Sequence, residues 1–264
     1  MYTKITKILD GIIKSEGINP VFVVESGSRA WGMESKDSDY DIRFVYSRPI
    51  LDYMKITTKP DVISKMFDSK GKPTEDREEV LFDVVGFDIR KFSRMLYVSN
   101  PSVIQWIQSP CLYQGSIPSE WIEIAKLRYN PQALFYHNLS MSKKNYMRYV
   151  HSNEMVTQKK YLYACRGVLN AMWVLRYGML PPINLEECIK GSDITDEIKD
   201  AILTLISNKK QGLEQETCDR IPLLDTFIET HIHGPDVHIP KRNYAKKAEL
   251  LNDVIKMIVL DNNG

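Results

Sequence analysis

Ile5, Ile8, Leu9, Ile12 and Ile13 recur at spacings of three and four, which predicts one buried face of a helix that stops near Gly17. A strand is expected after Pro20, in the β-branched run Val21-Phe22-Val23-Val24-Glu25-Ser26, with a turn or helix start at Gly27. Asp39 to Tyr46 alternates polar and apolar positions, the period of a half-buried strand, and Pro49 ends it. Residues 52–79 are rich in charged and hydroxyl side chains around Gly71-Lys72-Pro73 and are expected to form an excursion or loop between sheet elements. A third β-rich stretch, VLFDVVGF, spans 80–87. Helical spacing resumes at Ile89, Phe92, Leu96 and Val98 and breaks at Asn100-Pro101.

Beyond Pro118 the pattern is helical over 119–128, 131–151, 156–178, 184–208 and 243–260. The expected fold class is therefore α+β, a mixed β-sheet with flanking helices over 1–115 followed by a helical domain over 116–264. No segment repeats at a fixed period, so a solenoid is not expected.

Composition narrows the function classes. With 264 residues, 43% hydrophobic and 26% charged, the chain has ordinary globular usage, which excludes disordered and collagen-like readings. Lys plus Arg is 35 against 34 for Asp plus Glu, a net charge of +1 that gives no sign of a bulk nucleic-acid or membrane binder. Cys111, Cys165, Cys188 and Cys218 form no CxxC pair, so neither a zinc ribbon nor a disulfide framework is expected. Lys4, Lys7 and Lys14 interrupt the N-terminal apolar positions, and no apolar run approaches membrane-spanning length, which points to a cytoplasmic protein that does not engage the membrane. Charge is nevertheless uneven. Residues 126–176 carry nine basic side chains and one acid, Glu154, together with six tyrosines, so this segment can offer phosphate contacts and base stacking to RNA.

The sharpest chemical signal is Gly27-Ser28-Arg29-Ala30-Trp31-Gly32 followed by Asp39-Tyr40-Asp41. A glycine at a strand end lets backbone N–H groups approach an anion such as a phosphate chain. Ser28 can donate to a terminal phosphate oxygen, and Arg29 offers a fork of donors to phosphate or to a nearby acid. Two aspartates one residue apart on a strand share a face, so Asp39 and Asp41 can hold hard divalent cations, Mg2+ or Mn2+, and Tyr40 faces the other way. A cation pair suits nucleotidyl transfer. Asp83 on the third β-rich stretch is the candidate third acid; Asp88, beside a helix start, is its rival and can instead cap that helix or orient Arg29 or Arg90.

GSRAWG followed by SDYD resembles the polymerase-beta-type nucleotidyltransferase superfamily. The stretches DVVGFDIRKFSRMLYVSNPSVIQWIQSPCLY (83–113) and KKYLYACRGVLNAMWVLRYGMLPP (159–182) are similar to a bacterial and phage family of nucleotidyltransferases with RNA-repair-associated members. The resemblance covers roughly residues 20–185. It implies a nucleotidyltransferase sheet core, a helical domain, and magnesium-dependent transfer of a nucleoside monophosphate from an NTP such as ATP. It places Gly27 and Ser28 at the triphosphate turn, Asp39 and Asp41 as metal ligands, and Asp83 as third ligand and candidate base. Lys91, Asn100, Pro101, Lys160, Tyr161 and Arg166 match recurring family positions, and the basic ones are candidate contacts to the triphosphate or acceptor. Phe87 and Cys165-Arg166-Gly167 depart from the family pattern without touching the acids.

Other chemistry-bearing residues are assigned to structure. His231, Ile232, His233 and His238 lack zinc-ligand spacing and are expected in a loop without metal. Cys111 and Cys165 are expected as core thiols and Trp106, Trp121 and Trp173 as packing residues, whereas Trp31, inside the phosphate turn, is a candidate wall of the nucleotide pocket. The leading expectation is NMP transfer to RNA. The competing readings are transfer to a protein or small molecule, and a non-catalytic nucleotide- or RNA-binding module.

Overall fold

The computed structural model describes residues 1–212, 217–233, 237, 239 and 247–261. In chain order the first elements are α1 (Tyr2–Glu16), β1 (Asn19–Glu25), a single helical turn α2 (Gly27–Ala30), β2 (Tyr40–Ser47), α3 (Ile50–Tyr53), β3 (Val62–Phe67) and β4 (Phe82–Asp88). They continue with α4 (Ile89–Tyr97), α5 (Pro101–Gln108), β5 (Leu112–Gly115), α6 (Ser119–Leu127), α7 (Pro131–Tyr149), β6 (Met155–Thr157) and α8 (Gln158–Tyr177). The last are α9 (Leu185–Gly191), α10 (Asp196–Lys210), β7 (Thr217–Asp219), α11 (Pro222–Ile232) and α12 (Lys247–Asp261).

The chain folds as an α+β protein with two compact units. The first takes residues 1–30, 39–129 and, beyond 244, α12; the second takes 31–38 and the helical stretch 130–243. This differs from a single cut at 115/116, for three packing reasons, the first being that Trp121 of α6 packs on Phe22 and Phe92 and keeps 116–129 in the first unit. Met33 is fully buried in the helical core with Trp31 packed against it, which draws 31–38 into the second unit. At the other end α12 packs on α4 and α6, returning the C-terminal helix to the first.

The first unit is built on a five-stranded mixed sheet of order β3-β4-β2-β1-β5, in which β2 and β4 run parallel and the other neighbours antiparallel. Ile5, Ile8, Leu9 and Ile12 of α1 share a core with Val23, Ile42, Phe44, Phe82 and Val84. Gly86 is open for this reason: a Cβ there would overlap the Phe44 ring. Phe22, Phe92, Trp106 and Trp121 form a second aromatic cluster. Being covered on both sides, β1 reads as a continuous apolar run, not as an alternation.

Several elements depart from the pattern reading. The excursion 52–79 contains β3, an outer strand whose Ser64 and Lys65 break the apolar alternation. β5 is the other outer strand and is largely exposed, so no apolar period marks it. The helix expected over 184–208 is two, because α9 ends at Gly191 and Thr195 begins α10. α4 stops before Asn100-Pro101 as expected, its end closed by the Asn100 N–H on the Met95 carbonyl, and the same pair also starts α5, Asn100 accepting the Ser102 N–H as its cap with Pro101 in the first turn. α11, unexpected, buries Leu224, Phe227 and Ile228, and its last turn holds His231 and Ile232 where a loop was expected; His238 lies outside the described residues.

In the second unit α7 and α8 pack tightly, and Gly167 permits the approach, since a side chain there would overlap Ser142 and the Asn138 carbonyl. Tyr161, Leu162, Cys165, Val168 and Leu169 of α8 form its core with Leu205, Ile206, Leu224 and Ile228. No described helix is long and apolar enough to cross a membrane.

Candidate active site

Parallel pairing of β2 with β4 sets Asp41 directly opposite Asp83, with Ile42 opposite Val84 and Arg43 opposite Val85. Side chains alternate along each strand, so Ile42 and Phe82 turn toward the α1 core while Asp41, Arg43 and Asp83 share the other face. One terminal nitrogen of Arg43 donates to Asp41 Oδ1 and to Asp83 Oδ2, each at 2.8 Å. The other terminal nitrogen donates to the carbonyls of Ile42 at 3.1 Å and Asp83 at 2.8 Å. A single guanidinium thus bridges two carboxylates on neighbouring strands.

The glycine turn lies beside this pair. Gly27 has φ +60, and a Cβ there would overlap Asp41 Oδ2, so the carboxylate occupies the space that the missing side chain leaves. Ser26 N–H donates to the Asp41 carbonyl at 2.8 Å, holding the end of β1 to the start of β2. Ser28 is buried at 7% exposure. Arg29 Nε donates to the Asp39 carbonyl at 3.2 Å, and its guanidinium lies 3.8 Å from the centre of the Tyr40 ring, which stacks on Phe82. Asp39 itself is exposed, immediately before β2.

Behind Asp41 lies Glu25, a buried acid with no part in the sequence expectations. Its Oε1 accepts the Asp41 N–H at 2.8 Å, and its Oε2 accepts the Tyr113 hydroxyl. Burial drives the Glu25 carboxyl up to about 7, and the nearby Asp41 charge adds to this, while the bonds from Tyr113 and the Asp41 N–H pull the other way. Arg43 had a legible signal, a basic residue two positions after Asp41 and so on the same strand face. Glu25 and Tyr113 had none, because their pairing depends on β5.

Asp83 and Asp88 separate clearly in space. They sit at opposite ends of β4, roughly 16 Å apart along an extended strand. Asp88 is buried, caps α4 by accepting the Arg90 N–H at 2.9 Å, and accepts the Tyr53 hydroxyl at 2.9 Å. Lys91 lies at that same end, donating to Asp61 at 3.2 Å, and is not brought to the acids. Asp39, Asp41, Asp83 and Gly27-Ser28-Arg29 belong to one compact unit; Lys160, Tyr161 and Arg166 belong to the other.

Within the helical unit, the tyrosines expected as stacking platforms mostly serve the core. Tyr146 and Tyr161 are buried there, as is Tyr129 at the end of the first unit. Tyr161 donates to Asp225 at 2.9 Å and accepts the Ile221 N–H at 2.9 Å, which leaves its hydroxyl engaged inside the protein. Tyr163 meets Trp31 edge to face. Tyr149 differs, since Lys160 and Arg148 stand over its ring at 4.1 and 5.1 Å and Arg148, Lys143 and Lys144 are exposed. Among the described residues, no group of three or more His, Cys, Asp or Glu is gathered closely enough to hold a metal ion by itself.

The family model for the RNA repair pathway DNA polymerase beta family, RlaP, matches residues 1–256. The chain belongs to this family. A relative, the "Uncharacterized protein YcgL" of Bacillus subtilis (strain 168), is 32% identical over 262 residues, covering 98% of this chain and 95% of that protein. The crystal structure of a nucleotidyltransferase-like protein from Exiguobacterium sibiricum 255-15 aligns over 97% of this chain and 88% of its own, with 10% identity and a TM-score of 0.30. Membership of the polymerase beta family accords with the mixed sheet and with the Gly-Ser turn beside an acid-bearing strand.

Proposed function

We propose that this protein transfers a nucleoside monophosphate from an NTP to an acceptor hydroxyl, with RNA as the acceptor. The observation that carries the reading is the register of Asp41 against Asp83, next to a glycine turn that leaves room for the Asp41 carboxylate. Two carboxylate oxygens that already converge on one cationic nitrogen suit a small hard cation equally well. Magnesium is commonly bound by one or two carboxylates with substrate phosphates completing its shell, which fits a donor set that does not cage a metal alone.

Asp41 and Asp83, joined by Asp39, would hold Mg2+ or Mn2+. When bound, the metal supplies charge neutralisation at the triphosphate and activation of the attacking hydroxyl. Gly27 brings backbone close to the phosphate chain, Ser28 donates a hydroxyl to it, and Arg29, steadied on Tyr40, presents positive charge at the start of β2. Arg43 holds the two acids apart and neutralised until the donor arrives. Asp83 is preferred to Asp88 as third acid because Asp88 is committed to the α4 cap and Tyr53. Support for an RNA acceptor comes from the family and from exposed Lys143, Lys144 and Arg148 on α7, a helix without an acidic residue.

The test is incubation with Mg2+, each of four α-labelled NTPs and a pool of cellular RNA, protein and metabolites. Label is expected in RNA, and Asp41→Asn with Asp83→Asn should abolish it while leaving the melting transition cooperative. Label retained by that double variant overturns the site assignment, and label in protein or metabolites overturns the acceptor.

A further inference from the structure

Arg166 lies mid-way along α8, one residue before Gly167, and is 4% exposed. Its guanidinium lies 3.7 Å from the centre of the Trp31 ring, and Trp31 is itself braced edge to face by Tyr163 at 5.7 Å. Among the described residues nothing hydrogen-bonds to this guanidinium or forms an ion pair with it; the groups that bear on its charge are Cys188 and Tyr163, with no carboxylate among them. Burial accordingly pulls the Arg166 pKa down to about 10, so it stays cationic at neutral pH.

The other arginines of the fold show how unusual this is. Arg48 is equally buried and donates to the Glu16 and Pro60 carbonyls at 3.1 and 3.5 Å. Arg43 is bonded to two carboxylates and two carbonyls. Arg166 has only an aromatic face, which satisfies none of its five donors. A buried cation with no carboxylate beside it costs stability, and a well-packed apolar side chain there would be neutral or better.

We propose that Arg166, held over the Trp31 ring, is an anion site of the helical unit that takes a phosphoryl group. A planar fork of donors matches the paired oxygens of a phosphate, and stacking on an indole fixes the plane of that fork. α7 and α8 carry no acidic residue in either helix, so nothing on them repels an anion. The choice of phosphoryl over carboxylate rests on the nucleotidyltransferase reading, and the phosphoryl can come from an NTP or from the phosphorylated end of an RNA.

The experiment is calorimetric titration and thermal melting in EDTA, with tripolyphosphate, ATP, and an oligoribonucleotide with or without a 5′-phosphate as probes. Arg166→Met is expected to melt at or above the wild-type temperature without ligand and to lose at least tenfold in affinity for the phosphate probe that wild type prefers. Arg166→Lys, which keeps charge but not the fork, is expected to lose at least threefold. ATP binding above that of the RNA end identifies a donor site, and the reverse identifies an acceptor site. Unchanged affinity in Arg166→Lys, or a lower melting temperature with unchanged affinity in Arg166→Met, makes the residue structural and overturns the proposal, as does a wild type that responds to no probe. The two readings fail separately: loss of phosphate affinity in Arg166→Met with no label transfer by wild type keeps the anion site and rejects the enzyme.

Discussion

Asp41 and Asp83 face each other in register across a parallel strand pair, and one nitrogen of Arg43 stands 2.8 Å from each. Two carboxylates at this spacing repel unless a cation lies between them. Arg43→Met should therefore lower ligand-free stability at neutral pH by about 1–3 kcal/mol, the range for removing a charged partner of a hydrogen bond. In the same variant Mn2+ should raise the melting temperature more than in wild type, because the acids then have no internal competitor. Denaturant melts in EDTA and in Mn2+ check both, and equal stability with equal metal response would show that the bridge is unimportant.

Gly27 tests the turn. Alanine there must adopt φ +60 and its Cβ must displace the Asp41 carboxylate. The backbone strain costs about 1–2 kcal/mol. Label transfer should fall at least tenfold in a protein that remains folded, and a Gly27→Ala variant with wild-type turnover would remove the turn from the site.

Asp83 and Asp88 should separate by phenotype. Asp88→Ala strips the α4 cap and leaves the Tyr53 hydroxyl without its acceptor, a loss of about 2–3 kcal/mol, with turnover per folded molecule largely kept. Asp83→Asn should do the opposite, abolishing transfer with a small change in stability. Chemical denaturation alongside the transfer assay measures both, and an inactive but stable Asp88→Ala would reverse the assignment.

Lys247 sets a pH dependence away from the site. It opens α12, donates to Ser99 Oγ at 3.1 Å, and burial depresses its pKa from 10.5 to about 8. The unfolded chain therefore binds the extra proton between about pH 8 and 10.5, so this residue's contribution to stability rises with pH across that window and is lost as pH falls through 8. Lys247→Met should flatten that rise and stabilise the protein at pH 7, by on the order of 3 kcal/mol at most. Denaturation midpoints from pH 7 to 10.5 are the measurement, and a rise undiminished in the variant would assign it to other groups.

Asp41 and the glycine turn were legible because each depends on neighbours in sequence: Asp41 takes its face from the strand period, although β2 begins at Tyr40 and leaves Asp39 just before it, and Gly27 ends an apolar run. Arg43 obeys the same period and was passed over for want of a visible acid partner across the sheet. The basic stretch 126–176 was legible as charge, but Tyr161 and Arg166 face inward, which charge counting along a chain does not distinguish from facing outward. His231 and Ile232 were expected in a loop because Gly-Pro follows them, whereas Leu224, Phe227 and Ile228 extend the helix up to them.

By itself the sequence determined the local and periodic features: the amphipathic α1, the strands that carry Asp41 and Asp83, the helical second half and the Gly-Ser turn, all written in spacings of two, three or four residues. Tertiary structure alone decided the register that sets Asp83, not Asp88, against Asp41, the outer strand that brings Tyr113 to Glu25, the return of α12 to the sheet unit, and the burial of Arg166 on Trp31. These join residues from 42 to well over 100 positions apart, and such pairings follow from how whole faces fill space, which no short-range period encodes.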